Sequence, residues 1–189
     1  MNKLIQKLNK IPKGYFTFND IKKISATREA SLKVAINRLV KKGKLKRLIR
    51  GYYAVDSLRV DLEKFSIDIY KPSYLSFEWA LAYYNILSQQ SHAITLASIK
   101  RCKSYEINNT VIRYHQIQEK YFWGFKKINS ILIAEPEKAF LDQIYLSLNG
   151  CVLFDVEEMD LKNLNIKKIK KYLKKFDNKG MDKKILKYL

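Results

Sequence analysis

The stretch from residue 17 to residue 53 constrains this chain most. Thr17-Phe18-Asn19-Asp20-Ile21 opens a short helix, Ser25-Ala26-Thr27 breaks it, and a second helix is expected from Arg28 to about Lys42. A basic hairpin then closes on Arg50-Gly51-Tyr52-Tyr53. Two short helices, a tight turn and a basic β-ribbon are the parts of a winged helix-turn-helix, a unit that usually docks on DNA.

Neighbouring residues complete that unit. Leu4, Leu8 and Ile11 recur at helical spacing and predict a first helix over about residues 2–10, ended by Pro12-Lys13-Gly14. Tyr15-Phe16-Thr17 is short and β-prone, so it can pair with the later hairpin. Thr17 or Asn19 is expected to cap the helix that follows. In the next helix Leu32, Ala35, Ile36, Leu39 and Val40 form one apolar stripe. Ala30, Ser31, Val34, Asn37, Arg38 and Lys41 fall on the opposite side. Thr27 suits the N-cap and Glu29 the first turn. Gly43 marks the stop, after which Lys44 to Leu48 and Tyr52 to Val55 can pair as strands, with Gly51 taking a positive φ in the turn.

Asp56-Ser57-Leu58-Arg59 reads as the exit from this domain. The expected division is a winged helix-turn-helix over residues 1–58 and an α+β domain over residues 59–189. There, Ser76 is expected to cap a helix from Phe77 to about Leu87, with Glu78 in its first turn. Ala93 to Ser98 reads as a strand. Ser104 to Ile107 and Thr110 to Tyr114 flank Asn108-Asn109, a two-residue hairpin turn, and Tyr121 to Phe125 and Ser130 to Ala134 offer two further strands. Pro136 starts a helix that Ala139 to Leu148 continue, with Glu135 and Glu137 at its head. From Leu161 the chain turns helical and lysine-rich. Ile166, Ile169, Leu173 and Phe176 form its apolar stripe, and a second lysine-rich segment covers Asp182 to Leu189. The expected fold class is α+β: the winged helix, then a mixed α+β domain with a largely antiparallel sheet and a basic helical tail over residues 157–189.

The net charge of +19 is unevenly spread. Residues 1–60 carry 16 Lys and Arg against 3 Asp and Glu, residues 61–156 carry 10 of each, and residues 157–189 carry 11 against 5. A lysine-rich coding bias would not spare the middle. Cations gathered on the helix-and-ribbon head are what polyanion binding needs, because each phosphate neutralised releases condensed counterions. Double-stranded DNA is therefore favoured over an acidic protein or a membrane surface as partner.

A recognition helix needs side chains that reach base edges, with cations around them to hold phosphates. Arg38 and Asn37 can make bidentate contacts, to guanine and adenine respectively. Ser31 can serve either base type, and Ala30 or Val34 could touch a thymine methyl. Thr27 and Arg28 sit at the leading turn, and Lys33, Lys41 and Lys42 suit phosphate. On an arbitrary helix Arg38 and Lys41 would mark a solvated face. Here the wing adds Lys44, Lys46, Arg47 and Arg50, which favours the DNA reading. Tyr52 or Tyr53 could stack on sugar or base, while one of such a pair is expected in the core.

Other chemistry is thin. The hydrophobic content, 47 %, allows a sizeable core, and no apolar run approaches the roughly 18 residues that cross a bilayer. Met1-Asn2-Lys3-Leu4-Ile5-Gln6 lacks the apolar segment of a secretory signal. Cys102 and Cys151 are too few for a disulfide framework and read as buried thiols in a reducing cytoplasm. His92 and His115 show no metal-ligand spacing, and there is no phosphate loop or nucleophile elbow, so no cofactor, metal or catalytic residue is expected. Glu135, Glu137 and Asp142 cluster in sequence, which leaves a metal-dependent nuclease using Glu137 and Asp142 as an alternative. Helix N-terminal acids account for the first two equally well.

The chain resembles the AbiEi-type antitoxins of bacterial abortive-infection (type IV toxin-antitoxin) systems. The matching pieces are Phe16-Thr17-Phe18-Asn19-Asp20-Ile21, Leu39-Val40-Lys41-Lys42-Gly43 and Arg47-Leu48-Ile49-Arg50-Gly51-Tyr52-Tyr53. Two segments of the second domain also match: Tyr74-Leu75-Ser76-Phe77-Glu78-Trp79-Ala80-Leu81-Ala82-Tyr83-Tyr84 and Ile133-Ala134-Glu135-Pro136-Glu137-Lys138-Ala139-Phe140-Leu141-Asp142. The resemblance implies a repressor that binds repeats in its own promoter and counteracts a nucleotidyltransferase-type toxin, with neutralisation tied to the second domain. A stand-alone regulator of the same fold, or a module whose basic tail grips a protein or membrane, are the alternatives.

Overall fold

The amphipathic patterns of the amino-terminal third fold into three helices and a small sheet. In the computed structural model, which describes residues 2–89, 93–148, 150, 152 and 159–185, these elements belong to the first of two units, Met1–Phe65 and Ser66–Leu189. They are α1 (Asn2–Asn9), β1 (Phe16–Thr17), α2 (Phe18–Ser25), α3 (Glu29–Lys41), β2 (Lys46–Ile49) and β3 (Tyr52–Ala54). The strands pair antiparallel in the order β1-β3-β2, with Phe16 opposite Tyr53 and Thr17 opposite Tyr52. The short β-prone segment before α2 thus pairs with the hairpin, as expected.

Caps and turns set these boundaries. Thr17, not Asn19, caps α2: its hydroxyl accepts from the Asp20 N–H at 3.1 Å while the Asp20 carboxylate accepts from the Thr17 N–H at 2.9 Å. This reciprocal box satisfies two donors that the helix cannot. At the end of α3 the Gly43 N–H donates to the Val40 carbonyl and the Lys44 N–H to the Leu39 carbonyl, each at 3.0 Å, which closes the helix. Gly51 has φ +86° in the two-residue turn between β2 and β3, a conformation that a Cβ would strain. Leu48 is extra in the ladder, since Arg47 pairs with Tyr53 and Ile49 with Tyr52.

Leu8, Phe16, Ile21, Leu32, Ile36, Leu39, Leu45 and Tyr53 form the core of this unit. Strand alternation sends Tyr52 to the other face of β3, where its ring lies 5.5 Å from Phe65.

The second unit is built on a six-stranded sheet. α4 (Leu62–Ile69) runs across the boundary, followed by β4 (Ser73–Leu75); the sequence signals neither, because both are short and lack a strong period. Then come α5 (Phe77–Tyr83), β5 (Ala93–Ser98), β6 (Lys103–Ile107), β7 (Thr110–Gln116), β8 (Phe125–Ile128), β9 (Ile131–Ala134), α6 (Pro136–Leu148), α7 (Ile166–Phe176) and α8 (Lys179–Ile185). The strand order is β6-β7-β5-β4-β9-β8. β4/β5, β6/β7 and β8/β9 are antiparallel, whereas β4/β9 and β5/β7 are parallel. The α+β class holds, but the sheet is mixed rather than largely antiparallel. Hairpins set the β6/β7 and β8/β9 pairs, and the parallel pairs join strands distant in sequence.

Three local expectations change. α5 stops at Tyr83 instead of reaching Leu87, because Asn85 turns left-handed and the Ile86 N–H returns to the Leu81 carbonyl at 2.8 Å. Ser76 precedes α5 but makes no side-chain cap; the Thr95 hydroxyl accepts from the Trp79 N–H at 3.1 Å instead. Tyr121 lies in a 3-10 turn and not a strand, its buried ring stacked 4.7 Å from Phe176. Asn108 and Asn109 both take positive φ in the β6–β7 turn, as that hairpin requires. Residues 186–189 of the lysine-rich terminal segment, with Cys151 and His92, lie outside the described residues. Among those described, no helix is long and apolar enough to cross a membrane.

Candidate nucleic-acid interface

The turn between α2 and α3 aims the exposed face of α3. Ala26 takes φ 51°, and Thr27 folds back so that its hydroxyl donates to the Ser25 carbonyl at 3.1 Å. Thr27 therefore belongs to the turn. The N-cap of α3 is Arg28, with no side-chain cap bond, which corrects the expected Thr27 cap. Glu29 is held by Lys33 at 2.7 Å and Lys22 at 3.0 Å, and hydrogen bonds from these two lysines bring its carboxyl down to about 2. Lys33, expected to contact phosphate, is thus committed to an ion pair; its ammonium also lies 5.8 Å from the Phe18 ring.

With Leu32, Ile36 and Leu39 buried, the opposite side of α3 is open. Arg28, Ala30, Ser31, Val34, Asn37, Arg38 and Lys41 are all exposed, Val34 to 50 %. The hairpin continues the charge. Lys44 follows the α3 stop, Lys46 and Arg47 lie on β2, and Arg50 sits at the turn, all exposed. Among the described residues, the side chains of Arg28, Arg38, Lys41, Lys46 and Arg50 enter no ion pair. Arg59, by contrast, reaches Asp56 at 3.3 Å.

One bond joins helix to ribbon. The Arg47 guanidinium donates to the Asn37 amide oxygen at 3.0 Å and lies 5.7 Å from the Tyr53 ring. No sequence signal marks this pair, because the bond depends on how the hairpin packs against α3. Tyr52 does not join the cation row: its ring is half-buried beside Tyr15 and Phe65. Behind α3, Lys3, Leu4, Lys7, Ser25, Thr27, Leu32, Ala35 and Leu39 line a cleft of about 320 Å³.

The acidic residues of the second unit are arranged otherwise. Asp142 is wholly buried and paired with the equally buried Lys138; Tyr74 and Ser76 donate to its Oδ2 at 2.9 and 2.8 Å. Burial drives Asp142 upward and Lys138 downward, each toward its neutral form. Glu137 meets Lys168 at 2.9 Å, and Glu135 accepts from Tyr172. The nuclease alternative needs Glu137 and Asp142 side by side and open to a metal, and these contacts separate them. Among the described residues, no three His, Cys, Asp or Glu side chains are grouped to hold a metal. His115 packs 5.1 Å from Phe77, and burial lowers its pKa. Cys102 is exposed rather than buried, its sulfur accepting from the Gln116 N–H at 3.3 Å.

Residues 4–55 match a family model described as "Transcriptional regulator, AbiEi antitoxin". No curated protein matches the chain by sequence.

Proposed function

Since residues 4–55 are similar to the AbiEi-type transcriptional regulators, we propose that this chain is a DNA-binding autorepressor that also serves as an antitoxin. Its amino-terminal unit is a winged helix-turn-helix, with α3 as the recognition helix and the β2–β3 hairpin as the wing. The observation that carries this reading is the run of unpaired, exposed cations along α3 and the hairpin: Arg28, Arg38, Lys41, Lys46 and Arg50. Arg38 reads guanine. A bidentate Asn37 contact to adenine needs its amide oxygen, which Arg47 holds, so Asn37 serves first to position Arg47. Ser31 and Val34 meet base edges, and Lys41, Lys44, Lys46, Arg47 and Arg50 hold phosphates.

The target is the chain's own promoter, at repeated sites, and the counteracted toxin is of the nucleotidyltransferase type. The role uses no cofactor, metal or catalytic step. Footprinting the full-length protein on the DNA upstream of its own gene tests this. Protection of repeated segments, weakening steeply as salt rises, is expected. Uniform, sequence-blind protection would overturn the repressor reading.

A further inference from the structure

We propose that the outer face of α7 is a second nucleic-acid contact, which takes the phosphate backbone of duplex DNA without reading bases. α7 carries Lys167, Lys168, Lys170, Lys171, Lys174 and Lys175 and no acidic residue within its span. Its rotation is set from inside. Ile169 and Phe176 are buried, and the Asn165 side chain accepts from the Lys168 N–H at 3.1 Å. Lys168 is drawn to Glu137 at 2.9 Å and Glu135 at 3.4 Å, and Lys175 lies 4.1 Å from the Trp123 ring.

The other four lysines stand apart from these anchors. Lys167, Lys170, Lys171 and Lys174 follow i, i+3, i+4, i+7 spacing, within an arc of about 100° and along about 10 Å of helix axis. All four are exposed, and among the described residues none enters an ion pair. Like charges at this spacing oppose the helix that carries them. No acid within α7 offsets that repulsion, so only the buried stripe holds the face together. A polyanion laid along it would relieve the repulsion and release counterions.

The surroundings select among polyanions. Single strands are gripped through aromatic platforms that stack on bases. The nearby rings Trp123, Tyr172 and Phe176 pack on one another, with centroids 5.0 and 5.3 Å from Trp123, away from the lysine face. An anionic lipid surface needs apolar side chains beside the cations. Here that stripe is turned inward, and within it Ile166 alone is half exposed. A duplex backbone asks only for cations spaced on a rigid element.

The test uses the full-length chain and a mixed-sequence duplex oligonucleotide, with binding followed by fluorescence anisotropy across a salt series. Replacing Lys167, Lys170, Lys171 and Lys174 together by Gln should flatten the slope of log affinity against log salt by about two to four units, at about 0.9 for each phosphate no longer neutralised. The matching Lys→Arg variant should keep the slope, and circular dichroism should show unchanged helix in both. An unchanged slope in the Gln variant overturns the proposal and leaves the face to an acidic protein. Equal weakening in the Gln and Arg variants, or a preference for single strands, overturns it too. The proposal stands apart from base reading by α3: Arg38→Ala alters the preference for cognate over random DNA, and the α7 variants leave that ratio unchanged.

Discussion

Arg38 and Lys46 carry the same charge but stand in different places, one on the open face of α3 and one on the hairpin. Arg38→Ala should cost about 1–3 kcal/mol on a cognate site and relax base preference. Lys46→Ala should weaken binding to every sequence alike and flatten the salt slope by about one unit. Equilibrium titrations on cognate and random duplexes separate the two, and identical behaviour would sink the base-reading role of Arg38. Deep in the second unit, Asp142 poses a stability question. Asp142→Asn leaves the buried Lys138 ammonium without its counter-charge and should cost about 3–5 kcal/mol in denaturant unfolding. Adding Lys138→Met should recover much of that cost, because the introduced amide oxygen can still accept from the Tyr74 and Ser76 hydroxyls. Gly124 belongs to the same construction. It takes φ +75°, and a Cβ there would stand 2.9 Å from the Lys138 Cγ, so only glycine lets the lysine stem lie flat.

At the scale of elements, local chemistry is largely legible. Thr17 and Asp20 three residues apart announce a capping box, Asn108-Asn109 a tight hairpin, Pro136 a helix start, and all three stand in the fold. Thr17→Ala should remove about 1 kcal/mol of stability, measured by thermal or urea unfolding, since it frees the Asp20 N–H at the head of α2. A change below a few tenths would mean that β1 pairing, not the cap, sets where α2 begins. Misreadings arise where a distant residue takes over a local task. Thr95 does the capping expected of Ser76, the core draws in Tyr121, and Thr27 closes the turn while Arg28 occupies the cap position. A window of neighbouring residues contains no sign of such takeovers.

Across the whole molecule, charge and core divide the labour. The first 60 residues hold 16 of the 37 Lys and Arg, and the α3–hairpin cations are left outside a core whose members lie a few residues away in sequence. The last 33 residues hold another 11, most of them on or beside α7 and α8. In the stretch of sequence between these, α6 buries its ionisable groups in pairs, Lys138 with Asp142 and Glu137 with Lys168. The sequence by itself determined which segments are helix or hairpin, where most of them begin, and which face of α3 stays wet, because those choices depend on contacts within a turn or two of chain. Only the tertiary structure decided the parallel pairs of the sheet, the Arg47–Asn37 bond, the inward turn of Tyr52 and the enclosure of Asp142 by Tyr74, 68 residues away. Each joins groups whose meeting depends on how whole elements pack, and a packing arrangement is a property of the assembled core rather than of any local run of residues.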